Sequence, residues 1–486
     1  MKKIFLLFLF LFFSVFCFSN DYSFWKNQIN TAFSNLSSIK KINNSKLTSD
    51  LQNLQYKYSW LPHFSFDIPI KYNLRSSSSI FTRGIENITP YTNIIENEIA
   101  ISLNQKLLGN GNLNFYSGYG LSYNANTNSF LQKPLLNLSI SQNLSPDIIN
   151  KNSAPEIILI NLQSQFSDLT FYKDLFTEFE KVINLIADFD NQYTEKLYLT
   201  NLLDYYEIHY TSFETKNKNG SKSFLDSYYA RQQMLNLKNQ IAVSDYENNY
   251  VSSEISILIP NLSAEEINKY RIELLNFISP DYSTNSSSID IELYKNQIEQ
   301  QTAVFKKNEY SILPVLYFNA QLSPDTNRYF QYSDFYNSFR ELSMNPFPWS
   351  FSFSSGIKFN LESKKEKKIR QDVFSFSINS LSSEMELIAM EQKKQKILLI
   401  NQINNLESFY STLSTNLTEE EKFCNEKKIL FENGYISEEE YMSSYISYLE
   451  SYKYSVNIFW ELIKHKIALC KLTESYKQII LNLGVM

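Results

Sequence analysis

The strongest constraint on this chain is the length of its uninterrupted stretches. After Pro155 there is neither Pro nor Gly up to Lys218, and between Glu362 and Asn433 there is neither at all. About 60 continuous helical residues reach about 90 Å at 1.5 Å per residue. Helices of that length are not stable alone and need partners along their whole run. After the second stretch, Tyr441, Tyr445, Tyr448, Tyr452, Ser455, Phe459 and Leu462 step four, three, four, three. That spacing is the heptad seam of a coiled coil, and helix packing is the preferred reading of the Tyr stripe. After the first stretch the pattern is looser, with Leu225, Tyr229, Leu237, Ile241 and Tyr246.

Between the helical stretches lie segments of period two. Phe64, Phe66, Ile68, Ile70 and Tyr72 alternate with Ser65, Asp67 and Lys71. Leu136, Leu138 and Ile140 alternate with Asn137, Ser139 and Ser141, and Leu316, Phe318 and Leu322 with Asn319 and Gln321. Phe351, Phe353, Ile357, Phe359 and Leu361 alternate with Ser352, Ser354, Lys358 and Asn360. Such alternation marks strands with one apolar and one polar face. It fits a barrel with lipid outside and water inside, and it fits an ordinary sandwich equally well.

The N-terminus points to export. Met1, Lys2 and Lys3 precede the apolar run Ile4 to Phe13, and Ser14 to Asn20 end it with small and polar residues. This reads as a signal peptide over residues 1–19, cleaved after Ser19. A lipoprotein anchored through Cys17 is the alternative, although Phe16 is bulky for that processing. No other stretch reaches the roughly 18 apolar residues of a helical span. An exported chain without one is periplasmic, secreted, or embedded as a β-barrel.

Short strings recur in the same order. Tyr58-Ser59-Trp60-Leu61-Pro62 matches Tyr310-Ser311-Ile312-Leu313-Pro314. Asn219-Gly220 matches Asn433-Gly434, with Ser223 and Ser437 each three residues after the glycine. The chain therefore reads as a duplication. The first repeat takes residues 20–286, with strands at about 63–144 and a helical hairpin at about 154–253. The second takes 287–486, with strands at about 314–361 and a helical hairpin at about 363–473. In each, a polar helical stretch (Tyr22 to Lys57, Ile289 to Glu309) ends at Leu-Pro, because a residue before Pro avoids the α region.

This arrangement resembles the TolC outer-membrane efflux protein family, from about Asp21 to Thr473. The resemblance rests on the repeated order of helix, Leu-Pro, strands, long helix, Asn-Gly turn and long helix, behind a signal peptide. It rests also on Asn217-Lys218-Asn219-Gly220-Ser221-Lys222-Ser223 and Phe431-Glu432-Asn433-Gly434-Tyr435-Ile436-Ser437, which resemble the family's tip turns. It implies an α+β membrane protein, internally duplicated. Long antiparallel coiled-coil hairpins extend into the periplasm, and strands from three chains complete one outer-membrane β-barrel. It implies a homotrimer in outer-membrane lipid, a passive exit duct of a tripartite efflux or type I secretion system. A periplasmic adaptor and an inner-membrane pump would dock at the tips, at Asn219, Gly220, Ser221, Asn433, Gly434 and Tyr435. The family places an acid six residues after the tip glycine, which here gives Asp226 and Glu440, with Glu438 and Glu439 beside the latter. These four would form a cation-attracting periplasmic entrance. Glu438, Glu439 and Glu440 also suit a first helical turn, where acids complement the helix dipole. The family's arginine and tyrosine latch positions hold Ile436 and Phe431.

The rival reading is an exported coiled-coil structural or adhesive surface protein without channel activity. Enzymatic readings lack support. No Gly-x-Ser-x-Gly, His-Glu-x-x-His or paired-Cys motif is present, and His63, His209 and His465 are scattered. No metal or other cofactor is expected. Net charge is −6, and −8 once the leader is removed, which speaks against a nucleic-acid partner. Finally, Pro62 to Gly220 is 158 residues and Pro314 to Gly434 is 120, so the first repeat is 38 longer. The surplus alternates as well (Ile99, Ile101, Leu103, then Leu113, Phe115, Tyr119, Leu121, Tyr123) around Leu108-Gly109-Asn110-Gly111. It reads as an extra hairpin, placed either in the barrel wall or as a flap above a wall of the family's usual four strands per chain.

Overall fold

The computed structural model describes residues 23–58, 61–68, 70–75, 92–107, 111–124, 129–143, 155–218, 224–283, 287–324, 349–359, 362–484. The expected leader, Cys17 and the tip residues Asn219, Gly220 and Ser221 lie outside them. Contacts divide the chain into two compact units. One comprises residues 1–47, 167–295 and 383–486, the other 48–166 and 296–382. Each unit thus draws on both of the stretches read as repeats.

Two helices open the chain, α1 (Ser23–Asn35) and α2 (Ser37–Tyr58). Strands β1 (His63–Asp67), β2 (Ile70–Arg75), β3 (Thr92–Leu107), β4 (Gly111–Asn124) and β5 (Ser129–Asn143) follow. Next come the long helices α3 (Pro155–Lys218) and α4 (Phe224–Leu258) and the short α5 (Ala264–Lys269) and α6 (Arg271–Phe277). The rest is α7 (Ile289–Ser311), β6 (Val315–Pro324), β7 (Trp349–Lys358), α8 (Lys364–Glu432), α9 (Glu438–Leu472) and α10 (Ser475–Leu483). Among the described residues no helix is long and apolar enough to cross a membrane.

In the first unit, ion pairs lay the helices side by side. Lys196–Asp245 (2.7 Å) and Lys238–Glu207 (3.1 Å) join α3 to α4. Lys453–Glu195 (2.6 Å) and Lys471–Glu180 (3.0 Å) join α3 to α9. Lys466–Glu407 (2.8 Å) joins α9 to α8. The order is therefore α4, α3, α9, α8, with α4 and α8 at the flanks. The apolar core lies at one end of this layer, where Trp25 and Ile29 of α1, Phe179 and Ile183 of α3, Phe459, Trp460 and Ile463 of α9, and Ile480 of α10 are buried together.

The Tyr seam enters that core. Successive rings of Tyr441, Tyr445, Tyr448 and Tyr452 stack at 6.1–6.4 Å. Ser455, Phe459 and Leu462 continue the seam as fully buried residues. On α4 the looser pattern divides: Leu237 is buried, whereas Leu225, Tyr229 and Tyr246 are exposed.

Where the seam meets the core, Arg271 is buried at the start of α6. Its Nη2 donates to Asp190 Oδ2 at 2.8 Å, and Trp460 Nε1 donates to the same oxygen at 2.8 Å. The guanidinium also lies over the Tyr452 and Phe459 rings, at 5.5 and 5.7 Å. Asp190 is 1% and Arg271 6% exposed, so neither charge has water to fall back on. The Asp190 carboxylate beside it and the Tyr452 hydroxyl hold the Arg271 guanidinium above its usual pKa, against the effect of burial. The network ties α3, α6 and α9 at one point. Removing one partner strands the other charge in the core. Arg271→Met or Asp190→Asn is expected to destabilise the protein by about 3–5 kcal/mol. The apolar double replacement Arg271→Met/Asp190→Leu should recover part of that loss, as read by chemical denaturation.

The second unit holds one open sheet, in the order β1/β2, β3, β4, β5, β6, β7, with every described pairing antiparallel. β1 and β2 pair with the same partner in one register. Asp67 faces Ala100 and Ile70 faces Asn97, three residues further along both strands. They form one strand interrupted between Asp67 and Ile70. The surplus segment, read from the sequence as an extra hairpin, is β3–β4, and it sits inside the sheet between β1/β2 and β5. Packed in the same unit, Phe305 of α7 stacks on Phe374 of α8 at 4.0 Å.

Candidate functional site

Two features of the chain carry chemistry: the tip between α8 and α9, and the two faces of the sheet.

At the tip, α8 ends because Gly434 takes φ +75°, a left-handed conformation that costs other residues energy. The Tyr435 N–H donates to Leu430 O (2.9 Å) and the Gly434 N–H to Phe431 O (2.8 Å). Together these bonds are a Schellman C-cap, which satisfies carbonyls that the helix leaves open. Nothing lies within 4 Å of a Cβ built on Gly434, so the requirement for glycine there is conformational and not spatial. Ser437 then caps α9, its hydroxyl accepting from the Glu440 N–H at 3.2 Å. Asn433 and Tyr435 stand exposed on the turn.

The acids behind the turn diverge. Glu440 Oε1 meets Lys427 Nζ of α8 at 2.6 Å. Glu439 Oε1 lies 2.9 Å from His209 Nε2 of α3, a contact that is ionic when the imidazole is protonated. His209 also bonds the Tyr205 hydroxyl at 2.8 Å, and Tyr205 in turn bonds Ser443. Glu438 is exposed. Asp226 falls in the first turn of α4. At the former latch position, Phe431 stacks on Tyr441, with centroids 5.5 Å apart and rings 7° from parallel. Cys424 and Cys470 are both buried free thiols; burial raises the pKa of each, that of Cys470 to about 12. Among the described residues no cluster of His, Cys, Asp and Glu is arranged to hold a metal ion.

The sheet sorts its side chains by face. Registers place Phe64 opposite Leu103, Ile99 opposite Tyr119, Phe115 opposite Leu138, Ile140 opposite Phe318 and Leu322 opposite Phe351. One face is therefore apolar across all strands. It is also uncovered within the chain: Phe64 is 73%, Phe66 61% and Phe351 66% exposed. The other face carries Ser65, Ser102, Asn114, Asn137, Asn319 and Ser352, with Ser65 and Ser102 bonded at 2.6 Å and Tyr116 donating to Glu98. Here Gly356 lies directly opposite Tyr317, whose ring takes the space a side chain would need.

No family model matches the sequence, and no curated protein matches it. Solved structures do. The Campylobacter jejuni CmeC outer-membrane channel aligns with TM-score 0.55 at 10% identity, covering 94% of this chain and 88% of the other. The outer-membrane protein VceC of Vibrio cholerae aligns with TM-score 0.54 at 9% identity, covering 91% and 94%. CusC, a transmembrane channel, aligns with TM-score 0.54 at 11% identity, covering 91% and 90%. The chain has the TolC-like fold. At such identities the likeness establishes the fold, mostly helical with one open sheet, and it runs over nearly the whole length of the chain.

Replacing Gly434 by Ala forces a Cβ into the left-handed region, at about 1–2 kcal/mol. Hydrogen exchange at the amides of residues 434 and 435 should accelerate roughly tenfold while the rest of α8 keeps its protection.

Proposed function

We propose that this protein is the outer-membrane exit duct of a tripartite efflux or type I secretion system, acting as a passive conduit and not as an enzyme. The observation that carries this is the sheet: an uncovered apolar face, a polar opposite face and two unpaired edges, β1/β2 and β7, among the described strands. In lipid the apolar face is at home, but every backbone N–H and C=O must be paired, so open edges are not tolerated. Closure against further copies removes them. The helical layer supports the same assembly. Its flank helices expose apolar residues at heptad-like spacing, Val243, Tyr246, Tyr250 and Ile257 on α4 and Leu387, Met390 and Ile397 on α8. A ring of three duplicated chains sets flank against flank, forming a barrel in the outer membrane and a tunnel of helices in the periplasm.

The exposed turn at Asn433, Gly434 and Tyr435, with its counterpart at Asn219, Gly220 and Ser221, is the docking end for a periplasmic adaptor and an inner-membrane pump. Asp226, Glu438, Glu439 and Glu440 supply a negative field at that entrance. Lys427 offsets part of it, so the selectivity should be modest. In planar bilayers the protein is expected to form cation-preferring channels. The pair Asp226→Asn and Glu440→Gln should lower the cation-to-anion permeability ratio and leave insertion intact. Absence of conductance contradicts the duct, and unchanged selectivity contradicts the entrance.

A further inference from the structure

Resting on the duct reading, we infer that the outer-membrane pore is an eighteen-stranded barrel, six strands from each of three chains, with the β3–β4 hairpin as part of its lipid-facing wall. Four observations converge on this.

The hairpin is hydrogen-bonded on both sides. β3 pairs with β1 and β2 over nearly its whole length, and β4 pairs with β5 from Asn112↔Ser141 to Asn124↔Ser129. A flap above the wall would have left β1/β2 paired with β5.

The hairpin also runs the full height of the sheet. The chain enters or leaves the helices at His63, Asn143, Val315 and Lys358. Asn143 lies opposite Val315, and Val315 opposite Lys358, so these positions mark one rim. The paired ends of β3 and β4, Leu107 and Gly111, belong to that same rim: His63 faces Asn104, and Asn112 faces Ser141. The strand ends Arg75 and Thr92, Asn124 and Ser129, and Pro324 and Trp349 all fall at the opposite rim. Short turns at the periplasmic rim and longer ones outside are the habit of outer-membrane barrels.

Third, the apolar face continues across the hairpin, broken at Ser117. Ile99, Ile101 and Leu103 of β3 and Leu113, Phe115, Tyr119 and Leu121 of β4 share the face of Phe64 and Leu138. A hairpin standing in water would gain nothing from such a face.

Fourth, the lumen face of the hairpin matches that of its neighbours. Ser102, Asn104, Asn112 and Asn114 carry on the hydroxyl and amide lining of Asn137, Ser139 and Asn319. With strands about 4.8 Å apart and tilted about 40°, eighteen strands enclose a cylinder roughly 36 Å across, against roughly 24 Å for twelve. Such a pore discriminates little among solutes, by charge or by size. Selection is left to the helical end, and the membrane portal admits hydrophilic cargo as bulky as polypeptide.

Spin labels test this directly. Labels at Phe115→Cys and Tyr119→Cys are expected to collide several-fold more often with lipid-dissolved oxygen than labels at Asn114→Cys and Asn112→Cys. The latter should respond to a water-soluble nickel complex. Phe318→Cys and Asn319→Cys on β6 form the reference pair, and the buried thiols Cys424 and Cys470 do not compete for label. Alternation on β4 equal to that on β6 supports the wall. Alternation on β6 with uniform water access on β4 overturns the wall and leaves the duct standing. Lack of alternation on both strands overturns the duct and this inference with it. Projection images of the unlabelled assembly give an independent reading: a bore near 36 Å is expected, and one near 24 Å contradicts the inference.

Discussion

In the proposed duct the sheet depends on one constraint, the pairing of backbone hydrogen-bond groups in a medium without water. A strand whose apolar side chains face lipid has nothing there to satisfy its N–H and C=O groups. Each inner strand of the described sheet meets that demand through antiparallel neighbours, and in the proposed assembly its two edges meet it through another chain. The same registers that complete the ladder hold the side-chain alternation in phase. A slip of one residue anywhere would move a strand's apolar residues from the apolar face of the sheet to the polar one. The interruption between Asp67 and Ile70 shows how tightly phase is held, since β1 and β2 keep the same register on either side of it.

The helical layer solves a different problem. Helices of this length cannot bury all their faces within one chain, and α3 and α9, in the middle, are the two with the most buried partners. Along the tip-side half the seam is built of stacked tyrosines, which tolerate partial hydration. Toward the other end it becomes a dry core in which even the charges, Arg271 and Asp190, are paired with each other and with Trp460. The buried ion pair fixes α3, α6 and α9 at one level, and the seam carries that alignment toward the tip. At the tip itself the restraints are weaker: an exposed Glu440–Lys427 pair, a His209–Glu439 contact and an aromatic stack.

Much of this was legible in the sequence because it is periodic or local. Period two located the strands, the absence of Gly and Pro located α3 and α8, and Asn-Gly followed by Ser located the turn whose C-cap and N-cap are now visible at Gly434 and Ser437. What the sequence left open was pairing at a distance. Whether Ile99 and Phe115 belong to a wall or a flap depends on who pairs with β5, and nothing in the residues themselves states that. The same holds for Arg271 and Asp190, 81 positions apart, and for Lys427, which lies too far from Glu440 in sequence to be read as its partner. The short helix α5 did have a signal that went unread: Ser263 and Glu266 form a capping box. Helices α6 and α10 are too short for periodicity to register and exist because they close the core around Trp25 and Tyr476.

The central claim is that one chain is an incomplete piece of a closed wall. The most direct test is the mass of the protein extracted from membranes in mild detergent. Three copies per particle, stable on dilution, is the result this account predicts. A stable monomer, with both sheet edges and both helical flanks left open, would contradict it.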